Sequence, residues 1–511
     1  MDCRVALEDF ATEGPWQLPE GWAWARLGDL LSHLTSGSRD WAEYYDRGSK
    51  VFVMAQNIRP GRYNHSYTKY VDPPEYLKDV ERSRIQRDDL LITIVGANTG
   101  DVCRVDFDAK DYFVCQSVAL MRPILPELSA YLELYLVALH GGRGQMNKVI
   151  YGAGRPHLSF DQIESFDIPL PPLAEQRRIV ARIDALFAEI SAGEAALAAA
   201  RDGLDTFRRA LVKAAVTGEL TADWRAANTV FETGGDLLAR IAKHRTTTAP
   251  GRRSRRSAET RALDAGAHRE LPQQWTWASL EELGEIVGGA TVDRKRRPAD
   301  PATVPYLRVA NVQRGHVDLS EIKAITVERT TAQKLQLRRG DVLLNEGGDR
   351  DKIGRGWVWD GSVPDMIHQN HVFRVRLHDE GINPYFVSHY ANELGRPFFI
   401  EKGKQTTNLA SISLSKISTL PVPVPPPAEA VEIVQRVSEA LAAYADTLAT
   451  LDSEAANVAR LKQSILKAAF EGRLVPQDST EEPATALLAR LATAAPAPAR
   501  AKRGRGTRSL A

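Results

Sequence analysis

The residues able to do chemistry in this chain are numerous, and their spacing fits no catalytic motif. Asp72-Pro73-Pro74-Glu75 approaches the Asp/Asn-Pro-Pro-aromatic motif of amino-methyltransferases, but its aromatic is displaced by one position to Tyr76. In that chemistry the aromatic must follow the prolines directly, to stack on a flipped base. Asn383-Pro384-Tyr385-Phe386 lacks the second proline. Nuclease-like acid-x-Lys triplets occur at Asp108-Ala109-Lys110 and Glu321-Ile322-Lys323, without a partner acid at matching places. His140, His157, His368 and His371 show no zinc spacing. The chain has neither a phosphate-binding Gly-x-x-x-x-Gly-Lys-Ser/Thr loop nor a nucleophile elbow. These absences count against a self-contained methyltransferase or nuclease.

A second kind of chemistry fits better: hydrogen bonding to base edges, which needs Arg, Lys, Asn, Gln or Ser on exposed loops. In the first half the candidates are Ser36, Ser38 and Arg39 in a Gly-bearing loop, Gln56 and Asn57 at a strand end, Gln116, and Arg155 in Gly152-Ala153-Gly154-Arg155-Pro156-His157. In the second half they are Arg294, Lys295, Arg296 and Arg297, then Asn311, Gln369, Asn370, Lys404 and Asn408. Each has a structural alternative. The Ser36 loop could cap a helix. Asn57 and Asn311 could support a shared turn. Gln116-Ser117 and Gln369-Asn370, read as equivalent, could cap strands. The basic run could bind phosphate or simply be solvated.

The elements that must position these residues occur twice, about 253 residues apart. Leu18-Pro19-Glu20-Gly21-Trp22-Ala23-Trp24 returns as Leu271-Pro272-Gln273-Gln274-Trp275-Thr276-Trp277. Ile168-Pro169-Leu170-Pro171-Pro172 with Ala174-Glu175 returns as Val422-Pro423-Val424-Pro425-Pro426 with Ala428-Glu429. Leu211-Val212-Lys213-Ala214-Ala215 with Gly218 returns as Ile465-Leu466-Lys467-Ala468-Ala469 with Gly472. Each half begins with short apolar strands, such as 51–54, 90–95, 342–344 and 372–375, and helical stretches near 127–140 and 383–395. The fold class expected is α+β.

After each Pro-rich stop the apolar period changes to alternating steps of four and three, a heptad seam. One seam runs from Ile179 to Ala214 and its copy from Ile433 to Ala468. The two long helices are expected to pair antiparallel as a coiled coil, with Gly193 near Glu454 and Ala200 near Thr447, so that the middle is the loosest part. The divisions are 1–170, 171–225 (first helical spacer), 226–270 (basic linker), 271–424, 425–475 (second spacer) and 476–511 (Ala/Pro-rich basic tail). A net charge of +1 requires any nucleic-acid surface to be local. Cys3, Cys103 and Cys115 are odd in number and lack metal-ligand spacing, which suggests reduced thiols in a cytoplasmic protein. No apolar run reaches the ~20 residues of a membrane span.

This layout resembles the specificity (S) subunit of type I restriction–modification enzymes. The resemblance rests on the Leu-Pro-x-x-Trp-x-Trp openings, Gln56-Asn57-Ile58 with Ala310-Asn311-Val312, and Arg87-Asp88-Asp89-Leu90-Leu91 with Arg339-Gly340-Asp341-Val342-Leu343. The Pro-Pro-Leu-Ala-Glu-Gln stretch before the first helix completes it. The second copy departs from this pattern, with Pro427 and Ala430 in place of Leu173 and Gln176. The resemblance implies two target-recognition domains reading an asymmetric, bipartite site in double-stranded DNA, and spacer helices that set the gap. It implies methyltransferase (M) subunits, two in number, and restriction (R) subunits as partners. S-adenosylmethionine, ATP and magnesium would then sit on those partners, and the chain itself would hold no cofactor, metal or catalytic residue. The competing readings are a freestanding DNA-binding scaffold or regulator and a coiled-coil interaction protein without a DNA role.

Overall fold

The computed structural model describes residues 14–37, 41–151, 154, 156–229, 232–248, 270–291, 297–348, 352–405 and 410–494. The chain divides into two units, 1–197 with 452–511, and 198–451. Each unit therefore holds one globular domain and a segment of both long helices.

In the first unit a four-stranded antiparallel sheet places Leu31–Ser36 beside Val118–Pro123, then Leu90–Thr93, then Val102–Arg104. The central strand Leu90–Thr93 is buried throughout, as its unbroken apolar run requires. A second, three-stranded sheet packs Tyr45–Val53 between Tyr70–Val71 and Tyr112–Val114. Helix Ser129–Val137 buries Tyr131 and Tyr135, whose hydroxyls donate to the carbonyls of Pro169 and Asp167. The Trp-x-Trp opening forms Ala23–Arg26, paired antiparallel to Asp167–Leu170 with Trp24 opposite Pro169. Prolines are tolerated there because this sheet has two strands, and each strand has an edge that needs no donor.

The second unit repeats the plan. Its four-stranded sheet runs Gly284–Gly288, Val372–Leu377, Val342–Asn345 and Gly356–Val358, and Thr276–Ser279 pairs with Pro421–Val424. Helix Pro384–Glu393 falls within the expected 383–395 stretch.

The long helices span Leu173–Thr217, 45 residues, and Pro427–Phe470, 44 residues. Pro427, the departure from the first copy, is the first residue of its helix, where a missing N–H costs nothing. Both helices stop before a glycine in the left-handed region, Gly218 at φ 79° and Gly472 at φ 68°. Within the first unit Lys462 bonds Glu194 at 2.8 Å and lies over the Phe187 ring. Within the second, the Tyr444 hydroxyl donates to Asp205 at 2.8 Å. The pairing is antiparallel, as expected, with Lys462 facing Glu194 and Tyr444 facing Asp205. One seam row, Ile190, Leu197, Leu204 and Leu211, is half-buried, and so is its copy, Tyr444, Leu451, Val458 and Ile465. The other row opens in its middle: Gly193, Ala200 and Phe207 are exposed, as are Thr447, Glu454 and Leu461.

Two boundaries need correction. The expected basic linker 226–270 contains helix Gly234–Thr248, whose Leu237 and Ile241 are buried in the core of the second unit. The expected tail 476–511 contains helix Ala484–Ala494, whose Leu487, Leu488 and Leu491 are buried in the core of the first. The helices are copies: Gly234 N–H donates to Gln274 O at 3.0 Å, and Ala484 N–H to Gly21 O at 2.8 Å. Basic and Ala-rich composition hid the short apolar face of each. The basic parts of both segments, 249–269 and 495–511, lie outside the described residues.

Candidate nucleic-acid interface

Strand pairing gathers the candidate loops at one end of each four-stranded sheet. In the first domain Ser36 opposes Ala119, Val118 opposes Thr93, and Ile92 opposes Val102. The loops leaving Ser36 and Thr93, and those entering Val118 and Val102, therefore share that end. Gly37 N–H donates to Cys115 O at 3.2 Å, and Ile94 N–H to Ser117 O at 2.8 Å. A Cβ on Gly37 would meet the Val114 carbonyl at 1.6 Å, so only glycine fits this approach. Pro156 and Leu158 join the same end. Gly96 N–H donates to Pro156 O at 3.1 Å, Leu158 N–H to Ile94 O at 3.0 Å, and the Thr99 hydroxyl to Pro156 O at 3.0 Å.

The second domain repeats the two bonds made at Ile94 and closes its outer edge with a different one. Ala290 N–H donates to His368 O at 2.8 Å, Glu346 N–H to His371 O at 2.9 Å, and Ile412 N–H to Glu346 O at 2.8 Å. Gly347 and Gly348 pair with Ser411 and Ala410, which pair in turn with Lys404 and Gln405. This equivalence corrects one alignment. Val118 N–H bonds Cys115 O as Val372 N–H bonds Gln369 O, so Gln116 matches Asn370 and Ser117 matches His371.

The sequence-derived candidates separate into three groups. Gln116, Lys404 and Arg297 are exposed, and Ser36, Gln56, Gln369 and Asn370 are half-buried. Of these, Ser36, Gln116, Gln369, Asn370 and Lys404 are at the converging ends. Ser38, Arg39, Arg155, Arg294, Lys295, Arg296 and Asn408 lie outside the described residues. Asn57 and Asn311 form the third group and do not fit the reading role.

Asn57 is 1% exposed and Asn311 3%. The Asn57 carboxamide donates to the carbonyls of Asn64 (3.0 Å) and Tyr67 (2.7 Å) and accepts from Met54 N–H (2.9 Å). Asn311 donates to Asp318 (2.9 Å) and Glu321 (3.0 Å) and accepts from Arg308 N–H (3.0 Å). Both side chains are spent on one repeated turn, three residues back and seven and ten forward, and present no donor to a base.

The acidic framework residues are also internal. Asp89 is clasped by the Nε and Nη2 of Arg122 at 2.7 and 2.8 Å, and Asp341 by those of Arg376 at 2.8 and 2.6 Å. Burial raises the Asp89 carboxyl above its ordinary range despite Arg122. The histidines show internal partners. His157 Nδ1 meets the Tyr151 hydroxyl, His368 Nδ1 the Val372 carbonyl, and His371 Nδ1 the Glu346 carboxylate. Cys103 and Cys115 are buried free thiols, both pushed up by desolvation. Among the described residues no helix is long and apolar enough to cross a membrane.

The model of the type I restriction modification DNA specificity domain matches twice, at residues 19–198 and 272–451. The chain belongs to this family. Each match contains one sheet end of the kind just described. The specificity chain is 25% identical over 484 residues to the type I restriction enzyme EcoKI specificity subunit of Escherichia coli (strain K12), covering 91% of this chain and 92% of that one. It is 24% identical over 475 residues to the StySPI specificity subunit of Salmonella potsdam, with 91% and 92% covered. A solved structure described as "Structural basis underlying complex assembly and conformational transition of the type I R-M system" shares the fold. That match has a TM-score of 0.61 at 19% identity and covers 90% of this chain and 100% of the other.

Proposed function

We propose that the chain is the DNA-recognition subunit of a type I restriction–modification complex and reads a bipartite, asymmetric site, one half per domain. The observation that carries this is the doubled sheet end, with the same backbone bonds and different side chains. Ile94 and Ser117 in one domain are Glu346 and His371 in the other, and Gln116 is Asn370. A fold repeated to bind one sequence twice would keep those side chains; a fold reading two sequences would change them and keep the frame.

The long helices supply the docking surface for M subunits in this reading. Phe207 and Leu461 occupy matching positions, and each is 50% exposed on the open row of its seam. Exposed apolar side chains repeated in both units suit two copies of one partner. S-adenosylmethionine, ATP and magnesium belong to the M and R partners, and this chain contributes no catalytic group.

Selection of bound duplexes from a random-sequence pool, by the full chain with its M subunits, tests the proposal. Two half-sites at a fixed separation are expected. Replacing 271–424 with the matching domain of a relative should change one half-site and leave the other. A single undivided motif, or none, refutes it.

A further inference from the structure

Glu346 is an unusual residue to find at the converging sheet end of the second domain. Its backbone does what Ile94 does in the first: N–H to the residue that opens the neighbouring strand, carbonyl to the segment that closes over it. Ile94 is apolar and 6% exposed. The frame is therefore satisfied by a hydrocarbon, and a carboxylate at this position is not required by folding. Its side chain is instead 29% exposed and is held by His371, 53% exposed, through a 2.6 Å bond from Nδ1 to Oε2. In the first domain the His371 position is Ser117, so acid and imidazole differ between the domains as a pair.

A carboxylate facing a polyanion opposes binding unless a base donor meets it. In the major groove such donors are the exocyclic amines of cytosine and adenine. Among the described residues His371 bonds Oε2, and Oε1 stays open to a base donor. Adenine's amine lies between two acceptors, its own N7 and the O4 of the paired thymine, whose lone pairs would face the carboxylate; cytosine N4 has one, the O6 of the paired guanine, and a C5–H on its other side. We infer that Glu346, oriented by His371, is a specificity residue that accepts a hydrogen bond from a cytosine N4 amine in the half-site of the second domain. This inference rests on the DNA-recognition reading proposed above.

The test is a random-duplex selection with the full chain carrying E346I and H371S together, the side chains the first domain holds on the same backbone. E346Q serves as a second variant that keeps shape and removes charge. One C·G position in one half-site should lose its preference by on the order of 5–10-fold. All other positions should keep theirs, and affinity for random-sequence DNA should rise in both variants as a negative charge leaves the surface. Unchanged base preferences, or lost preference at an A·T position, overturn the assignment while leaving DNA recognition intact. Absence of any sequence preference in the unaltered chain overturns the recognition reading itself.

Discussion

The indole N–H of Trp22 donates to Glu175 at 2.9 Å across 153 residues of sequence, and Trp275 donates to Glu429 at 2.9 Å across 154. Each bond ties the residue just before the opening strand of a domain to the first turn of a long helix. The copies differ in their second oxygen. Glu429 Oε1 accepts from Thr221 at 2.7 Å and pairs with Arg225. Glu175 Oε1 is buried without a partner among the described residues, and burial raises its carboxyl above the ordinary range.

Equivalent substitutions should therefore act in opposite directions. E429Q removes the buried charge that Arg225 pairs with, leaving it the Gly218 carbonyl, and should cost roughly 1–3 kcal/mol. E175Q keeps the bond from Trp22 and removes a charge that burial penalises, so stability at pH 7 should hold or rise. Calorimetry of the full chain distinguishes them; equal losses would count against the asymmetry.

Removing one member of the Asp89–Arg122 clasp should be worse than removing both. R122A leaves a carboxylate that is 1% exposed without its cation, a cost of roughly 3–5 kcal/mol. A D89N/R122M double variant should recover part of that loss. Denaturant unfolding of the single and double variants measures the coupling.

Asn57 and Asn311 should affect folding and leave base preference alone. N57A or N311A removes three backbone bonds from a buried turn and should cost roughly 2–3 kcal/mol. Selection from a random duplex pool should return the unaltered motif from whatever protein folds. A changed motif would restore these residues to the interface.

The frame was legible from sequence because it is repeated, and repetition exposes the Trp, Asp and Pro positions that packing demands. Asn57 and Asn311 show the limit of that signal: recurrence marked them, but a turn and a contact recur alike, and only the buried bonds to carbonyls separate the two. Glu346 was missed for the opposite reason. It has no counterpart in the first half, and a lone acid near a basic loop gives no sign in sequence that its backbone stands where Ile94 stands. The helices Gly234–Thr248 and Ala484–Ala494 escaped because a few leucines bury them while composition is set by the Arg, Ala and Pro around them. The coiled-coil seam was legible as a period, and its open middle follows from the Gly193, Ala200, Thr447 and Glu454 side chains, too small or too polar to seal it.

Acid should loosen the second unit before the first. Burial lowers His368 to about 4, with Arg374 adding to the effect, and burial alone lowers His389 to about 4. Both rings are neutral in the folded chain at pH 5, whereas the unfolded chain takes up protons below about 6.5. The stability that neutral rings confer is thus complete above about pH 6.5 and is lost progressively as pH falls toward 4, by up to roughly 3 kcal/mol per ring. The first unit works the other way. Burial raises Asp89, Glu133 and Glu175, so their penalty is greatest at neutral pH and is relieved as they gain protons. Hydrogen exchange at pH 7 and pH 5, corrected for intrinsic rates, should show protection falling in 342–377 while 90–123 holds. H389F, which keeps an aromatic ring against Trp357, should remove about half of that loss. Equal loosening of both segments would show that the buried imidazoles do not set the acid limit.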